Sequence, residues 1–187
     1  MRRFRITREV YMKVSVRIVS GLALSLVVLG SCATARLFSN AELGGIKVRK
    51  STGLVAGAPV TAYEYSFIPT LSTKGLGLSG MLVIDRGGSR EYYLTVEGIR
   101  AKDTKSVTVN ADGSSFPLAA TVVAIEPTLT GEGRFVKNSD AFTRHYRLSA
   151  GEAARIGRSS AVRVESGKYA DEIIPEDIAA IRSIVGG

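Results

Sequence analysis

The chain has 187 residues, with 25 Lys and Arg, 17 Asp and Glu, one His, one Cys and no Trp. An apolar content of 45% beside 22% charge suits a globular chain and excludes a disordered one. One Cys excludes a disulfide framework and a Cys-rich zinc site, and one His argues against a His-cluster metal centre. The net charge of +8 is unevenly placed: residues 1–32 hold six basic residues and one acid, so residues 33–187 carry only +3. The body lacks the clustered basic footprint that nucleic-acid binding requires, and no nucleic-acid partner is expected.

The basic stretch ends at Arg17, and residues 18–30 follow as thirteen residues without a charge. A membrane span needs about 20 apolar residues, so this run is short for one but has the length of a signal-peptide apolar region. Met12-Lys13 makes a compact start, and initiation is expected at Met12. The run ends in Leu29-Gly30-Ser31-Cys32: an aliphatic residue, two small residues and the sole Cys. A buried thiol closing a core helix is the plainer alternative, but the basic lead, the run length and the Cys position agree against it.

Residues 12–32 resemble the signal and lipobox of bacterial lipoproteins. The resemblance implies a diacylglycerol on the Cys32 sulfur, cleavage between Ser31 and Cys32, and acylation of the new amine. Acyl chains contribute about 0.8 kcal/mol per buried CH₂, so two or three hold stably where one does not. In that family an Asp after the Cys retains the protein in the inner membrane. Ala33 stands there, which implies the outer membrane, facing the periplasm, in a cell with two membranes. The expected organisation is a signal peptide over 1–31, a lipidated Cys and tether over 32–57, and a single β-rich domain over 58–187. The basic run Lys47-Val48-Arg49-Lys50 in that tether could touch anionic headgroups or be a solvated edge.

From Val60 the chain turns to strand chemistry. Residues 60–68 are aromatic and β-branched and stop at Pro69. Residues 81–84 and 92–96 flank Asp85–Arg90, which predicts a hairpin with a longer loop. Residues 106–109 and 116–125 flank Asp112-Gly113, a turn pair suited to positive φ. Residues 142–148 alternate again. Six to eight strands at short intervals predict an α+β fold, mainly an antiparallel sheet or sandwich. A short helix is predicted near 149–157, where Ser149 and Glu152 form a capping box and Gly157 ends the element. A hairpin turns at Ser166-Gly167-Lys168. A C-terminal helix is predicted near 175–185, with Pro175 in its first turn, Glu176 and Asp177 on its N-terminal dipole, and Ile178, Ile181 and Val185 as its buried stripe. Arg182, off that stripe, is expected to be nearly silent on substitution unless it pairs with Asp177 or another buried acid.

No pattern of catalytic residues stands out, and neither a metal nor a cofactor is expected. Gly75-Leu76-Gly77-Leu78-Ser79-Gly80 contains a Gly-x-Gly-x-x-Gly, but Pro69 closes the segment before it, and a strand beginning at Met81, not a helix, follows it. It therefore reads as a loop or Gly-kinked strand rather than a phosphate cradle. His145 reads as a half-exposed strand residue between Arg144 and Arg147. The pairs Asp171-Glu172 and Glu176-Asp177 read as solvated acids. Residues 134–168 carry eight basic residues and three acids. Within that stretch Arg144, Arg147, Arg155, Arg158 and Arg163 are candidates for a surface facing an anionic partner, against the plainer reading of unrelated solvated positions. The expected function is a lipid-anchored bacterial cell-envelope protein, a non-catalytic binding or structural module. Its partner would be another envelope protein or an anionic glycolipid. An envelope hydrolase or a carrier of an apolar ligand is the alternative.

Overall fold

The computed structural model describes residues 39–69, 74–123, 125–127 and 142–187. Ser31 and Cys32 lie outside the described residues. The strands are β1 (Ser39–Leu43), β2 (Ile46–Val55), β3 (Ala58–Ser66), β4 (Leu78–Arg86), β5 (Ser89–Glu97), β6 (Ser106–Ala111), β7 (Ser114–Thr121), β8 (Glu126–Pro127), β9 (Thr143–Leu148), β10 (Val162–Ser166) and β11 (Tyr169–Ile173). The helices are α1 (Ala150–Arg158) and α2 (Pro175–Gly186), with a 3-10 turn at Ile99–Asp103. The fold is α+β and mainly antiparallel sheet, with one helix at the C-terminus. Its strands follow one hydrogen-bonded path, β1-β2-β3-β4-β5-β9-β7-β6-β10-β11, with β8 added on β2.

The segment expected to be a tether up to residue 57 instead supplies β1 and β2 from Ser39 onward. Val48 and Ser51 are buried within β2, so the basic residues around Val48 are carried on a sheet strand. The expected long loop between β4 and β5 is a two-residue turn. Gly87 and Gly88 take φ of 64° and 98°, and Asp85 Oδ1 accepts the Gly88 N–H at 2.8 Å. Two residues with positive φ match the right-handed twist of the flanking strands. Asp112-Gly113 turns as expected, with φ of 48° and 81°.

β7 joins the two halves of the sheet. Its residues up to Ala119 pair with β6, while Ala120 and Thr121 pair with β9. One core is lined by both halves and both helices, including Met81, Leu94, Val109, Leu118, Tyr146, Ile156 and Ile181. The other face of β3–β5 carries a smaller cluster of Val60, Ala62, Leu82, Ile84 and Tyr93, covered by Val123 and Ile125. This explains the unbroken apolar run Met81–Ile84: β4 is buried on both faces, so alternation disappears.

The capping box of α1 is formed. Ser149 Oγ accepts the Glu152 N–H at 3.2 Å, and Glu152 Oε2 accepts the Ser149 N–H at 2.7 Å. Gly157 does not end the helix; it lies inside it and is buried. A Cβ there would stand 2.8 Å from Arg182 Cα, so Gly157 is the point at which α2 approaches α1. Arg182 Nε donates to the Gly157 carbonyl, one of the orphan acceptors at the end of α1. The expectation of silence at Arg182 is therefore corrected. Arg182→Ala is expected to cost about 1 kcal/mol in chemical denaturation, the scale of a typical net hydrogen bond, because the arginine is exposed and water partly replaces it.

Candidate functional site

The end of the sheet where β3 and β5 finish and β4 begins holds a cleft of about 470 Å³. This volume falls in the range of small-molecule sites, about 300–1,000 Å³. Phe67, Pro69 and Leu78 supply apolar wall, and Glu97, Arg100 and Asp171 supply polar groups. Arg100 is held against the Tyr169 ring, its guanidinium carbon 4.4 Å from the ring centroid.

Asp171 organises the floor of this cleft. It is buried, and its Oδ2 accepts the N–H groups of Gly77 and Leu78, each at 2.8 Å. One residue earlier, the Ala170 N–H donates to the Lys74 carbonyl at 3.0 Å, clipping β11 to the segment before β4. Gly77 has a φ of +91°, and a Cβ on it would overlap the Glu97 carbonyl oxygen. Gly80 lies equally close to the Tyr65 carbonyl. The glycine motif is thus a kinked strand entrance, and two of its backbone donors, the N–H groups of Gly77 and Leu78, are engaged by a carboxylate.

Asp171 and Asp177 were expected to be solvated; both are buried. Asp177 Oδ1 accepts the Tyr65 hydroxyl at 2.8 Å and Oδ2 accepts the Ile68 N–H at 3.1 Å, which pins the start of α2 to the end of β3. Glu172 and Glu176 are the exposed members of the two pairs. The signals were present but ambiguous. Asp171 shares strand parity with Ile173, and Asp177 sits on the helical stripe four residues before Ile181.

Burial raises the Asp177 pKa above the ordinary 3.8, against the lowering effect of its two hydrogen bonds. Burial, followed by the bond to Asp177, raises the Tyr65 hydroxyl. Because the folded state of Asp177 holds its proton more tightly than the unfolded state, this group's stabilising contribution is complete below the unfolded value. It is lost as pH rises through the folded one. In Asp177→Asn the amide can accept from Ile68 and donate to the Tyr65 oxygen, so both partners stay satisfied. Denaturation of wild type and Asp177→Asn across pH should therefore show wild type losing stability relative to the variant as pH rises from below 3.8. A difference that stays flat, or runs the other way, contradicts this.

His145 is 2% exposed, not half-exposed. β9 is an interior strand between β5 and β7, and His145 Nδ1 lies 3.1 Å from Thr95 Oγ1, with its ring edge-on to Tyr93. Tyr93 donates to Glu91 Oε2 at 2.8 Å, and burial, then this bond, push its pKa up to about 12. Glu91 also receives Arg147 at 3.1 Å and Arg86 at 3.5 Å.

The five candidate arginines are distributed over three elements. Arg144 and Arg147 project to opposite faces of β9 by strand alternation. Arg155 and Arg158 lie on the exposed side of α1. Arg163, on β10, pairs with Glu165 at 3.3 Å and Glu172 at 3.7 Å. No protein-family model, curated protein or solved structure matches this chain.

Proposed function

We propose that this is a lipid-anchored bacterial cell-envelope protein whose folded domain is a non-catalytic binding or structural module. The observation that carries the reading is the ordered series in residues 12–32: basic lead, uncharged run, then Gly30-Ser31-Cys32. Cys32 would bear the lipid after cleavage between Ser31 and Cys32, and Ala33 favours the outer membrane, facing the periplasm. The buried ionisable groups support a non-catalytic role, since Asp171, Asp177 and His145 act as pins within the fold. The partner would be an envelope protein or an anionic glycolipid, met by exposed basic residues among Arg144, Arg147, Arg155, Arg158 and Arg163.

The test is metabolic labelling with a fatty acid. Wild type should take up label and shorten by the signal segment; Cys32→Ser should remain an unlabelled precursor. Equal labelling of both would remove the anchor from the proposal. The cleft favours a second reading, an apolar-ligand carrier, and organic extraction of the purified protein separates the two: a stoichiometric lipid in the extract of a chain lacking Cys32 acylation favours the carrier.

A further inference from the structure

Asp171 uses one of its two carboxylate oxygens inside the fold. Oδ2 accepts both N–H groups, those of Gly77 and Leu78. Oδ1 has no hydrogen-bond or ion-pair partner among the described residues, although Asp171 is only 7% exposed. A carboxylate oxygen so far from bulk water and without a donor calls for one from outside the fold. Asp171 lines the cleft of about 470 Å³, and its two backbone partners hold the carboxylate in place there. The group is therefore preorganised to meet a ligand that donates.

The same cleft holds a cation close by. Tyr169 and Asp171 project from one face of β11, about 7 Å apart at roughly 3.4 Å per residue. Arg100 stacks on the Tyr169 ring and lines the cleft with Asp171, yet the two charges form no ion pair. Stacking uses the face of a guanidinium, and its edge carries five N–H donors, so Arg100 can take a carboxylate beside its present contacts. A positive and a negative group that face one cavity without closing on each other suit a molecule that carries both charges. Charge-assisted hydrogen bonds are about 2.7–2.9 Å long. Two of them, with the short spacing between the ammonium and carboxylate of an α-amino acid, fill a gap of this order.

We infer that the cleft binds a free α-amino acid with an apolar or aromatic side chain. Its ammonium meets Asp171 Oδ1, its carboxylate meets Arg100, and its side chain lies against Phe67, Pro69 and Leu78. Other ligand classes match fewer of these groups. An acyl chain would desolvate both charges and pair neither. A simple amine leaves Arg100 unmatched. A simple acid leaves Asp171 unmatched and faces a second carboxylate, Glu97, on the cleft wall. The inference deepens the binding-module reading and does not depend on the lipid anchor.

The exported full chain, reconstituted in phosphatidylcholine vesicles, is titrated calorimetrically with phenylalanine and with leucine. It is also titrated with the amine and the acid that keep each side chain but lack one charged group: phenethylamine and phenylpropionate, isopentylamine and isocaproate. At least one amino acid should bind one-to-one, and its amine and its acid should each bind about tenfold or more weakly, the scale of one lost bond to a charged group. Asp171→Asn keeps an oxygen for Gly77 and Leu78 but removes the charge. It should weaken the amino acid by about tenfold or more and leave the acid no weaker. Arg100→Gln should weaken the amino acid to a similar degree and leave the amine no weaker. Arg100 is half-buried on the 3-10 turn, so this variant supplies the readout if Asp171→Asn does not fold. An amine or an acid that binds as tightly as its amino acid overturns the inference, as does unchanged affinity for the amino acid in either variant. No binding of either amino acid overturns it as well, and leaves the reading of a module for a protein or glycolipid partner standing. Fatty-acid labelling at Cys32 is independent of all these outcomes, so the anchor is judged by its own test.

Discussion

Ile181→Ala is expected to lower the unfolding free energy by about 2–5 kcal/mol. Ile181 is 0% exposed and belongs to the main core, where α2 meets the sheet and α1. Removing three carbons there loses the transfer free energy of the side chain, about 1.5–3 kcal/mol for full burial, and adds a cavity. The surroundings cannot collapse easily. Gly157 already brings the backbones of α1 and α2 to the limit of approach, so the helices have no slack to close the hole. A domain of ordinary stability has about 5–15 kcal/mol in total, and a single substitution of this size shows as a clear fall in the urea midpoint at unchanged slope. Deleting residues 175–187 should do more. It exposes the core-facing sheet surface and releases Tyr65 and the Ile68 N–H from Asp177. That truncation should be recovered as aggregate. A loss below about 1 kcal/mol for Ile181→Ala, with rapid amide exchange from Ile181 to Val185, would mean that α2 is not docked.

The stripe on α2 illustrates what could be read from residue order. Pro175, the two acids and the spacing of Ile178 and Ile181 located the helix to within a residue of its observed end. Ile184 rather than Val185 completes the buried face, because the 3.6-residue period places 177, 181 and 184 together and leaves Val185 at the margin. The capping box was legible for the same reason: both partners lie within four residues of each other. What was missed depends on distant parts of the chain. β1 and the first half of β2 carry few strongly apolar residues; β2 becomes a strand by pairing with β3, and β1 by pairing with β2. The burial of His145 follows from strand order, since β9 is inserted between β5 and β7, and a local window contains nothing of that. The cleft is harder still. Gly77 and Asp171 are 94 positions apart, and each reads innocently alone, one as a flexible loop and the other as a solvated acid.

That pair carries the second large effect. Asp171→Ala should cost about 1–3 kcal/mol, because it leaves the N–H groups of Gly77, which is exposed, and Leu78, which is half-buried, without their acceptor. An unsatisfied buried donor costs roughly 1–3 kcal/mol. Water entering from the cleft, which Asp171 lines, moves the result toward the lower end. Asp171→Asn keeps an oxygen that can accept both bonds and should cost distinctly less. Gly77→Ala attacks the same joint from the other side. It imposes a left-handed backbone on a residue with a Cβ, about 1–2 kcal/mol, and also drives that Cβ into the Glu97 carbonyl. Gly113→Ala is the matched control: its φ is +81° and nothing lies within 4 Å of the added carbon, so it should cost only the backbone term. The expected order of destabilisation in urea is therefore Gly77→Ala above Gly113→Ala, and Asp171→Ala above Asp171→Asn. Combining Gly77→Ala with Asp171→Ala should cost less than the sum of the two, since both break one joint and its loss is counted once. Strict additivity would show that the carboxylate does not hold β4 to β11, and equal costs at Gly77 and Gly113 would show that the Glu97 carbonyl does not crowd Gly77; together they would return the glycine motif to the status of a free loop.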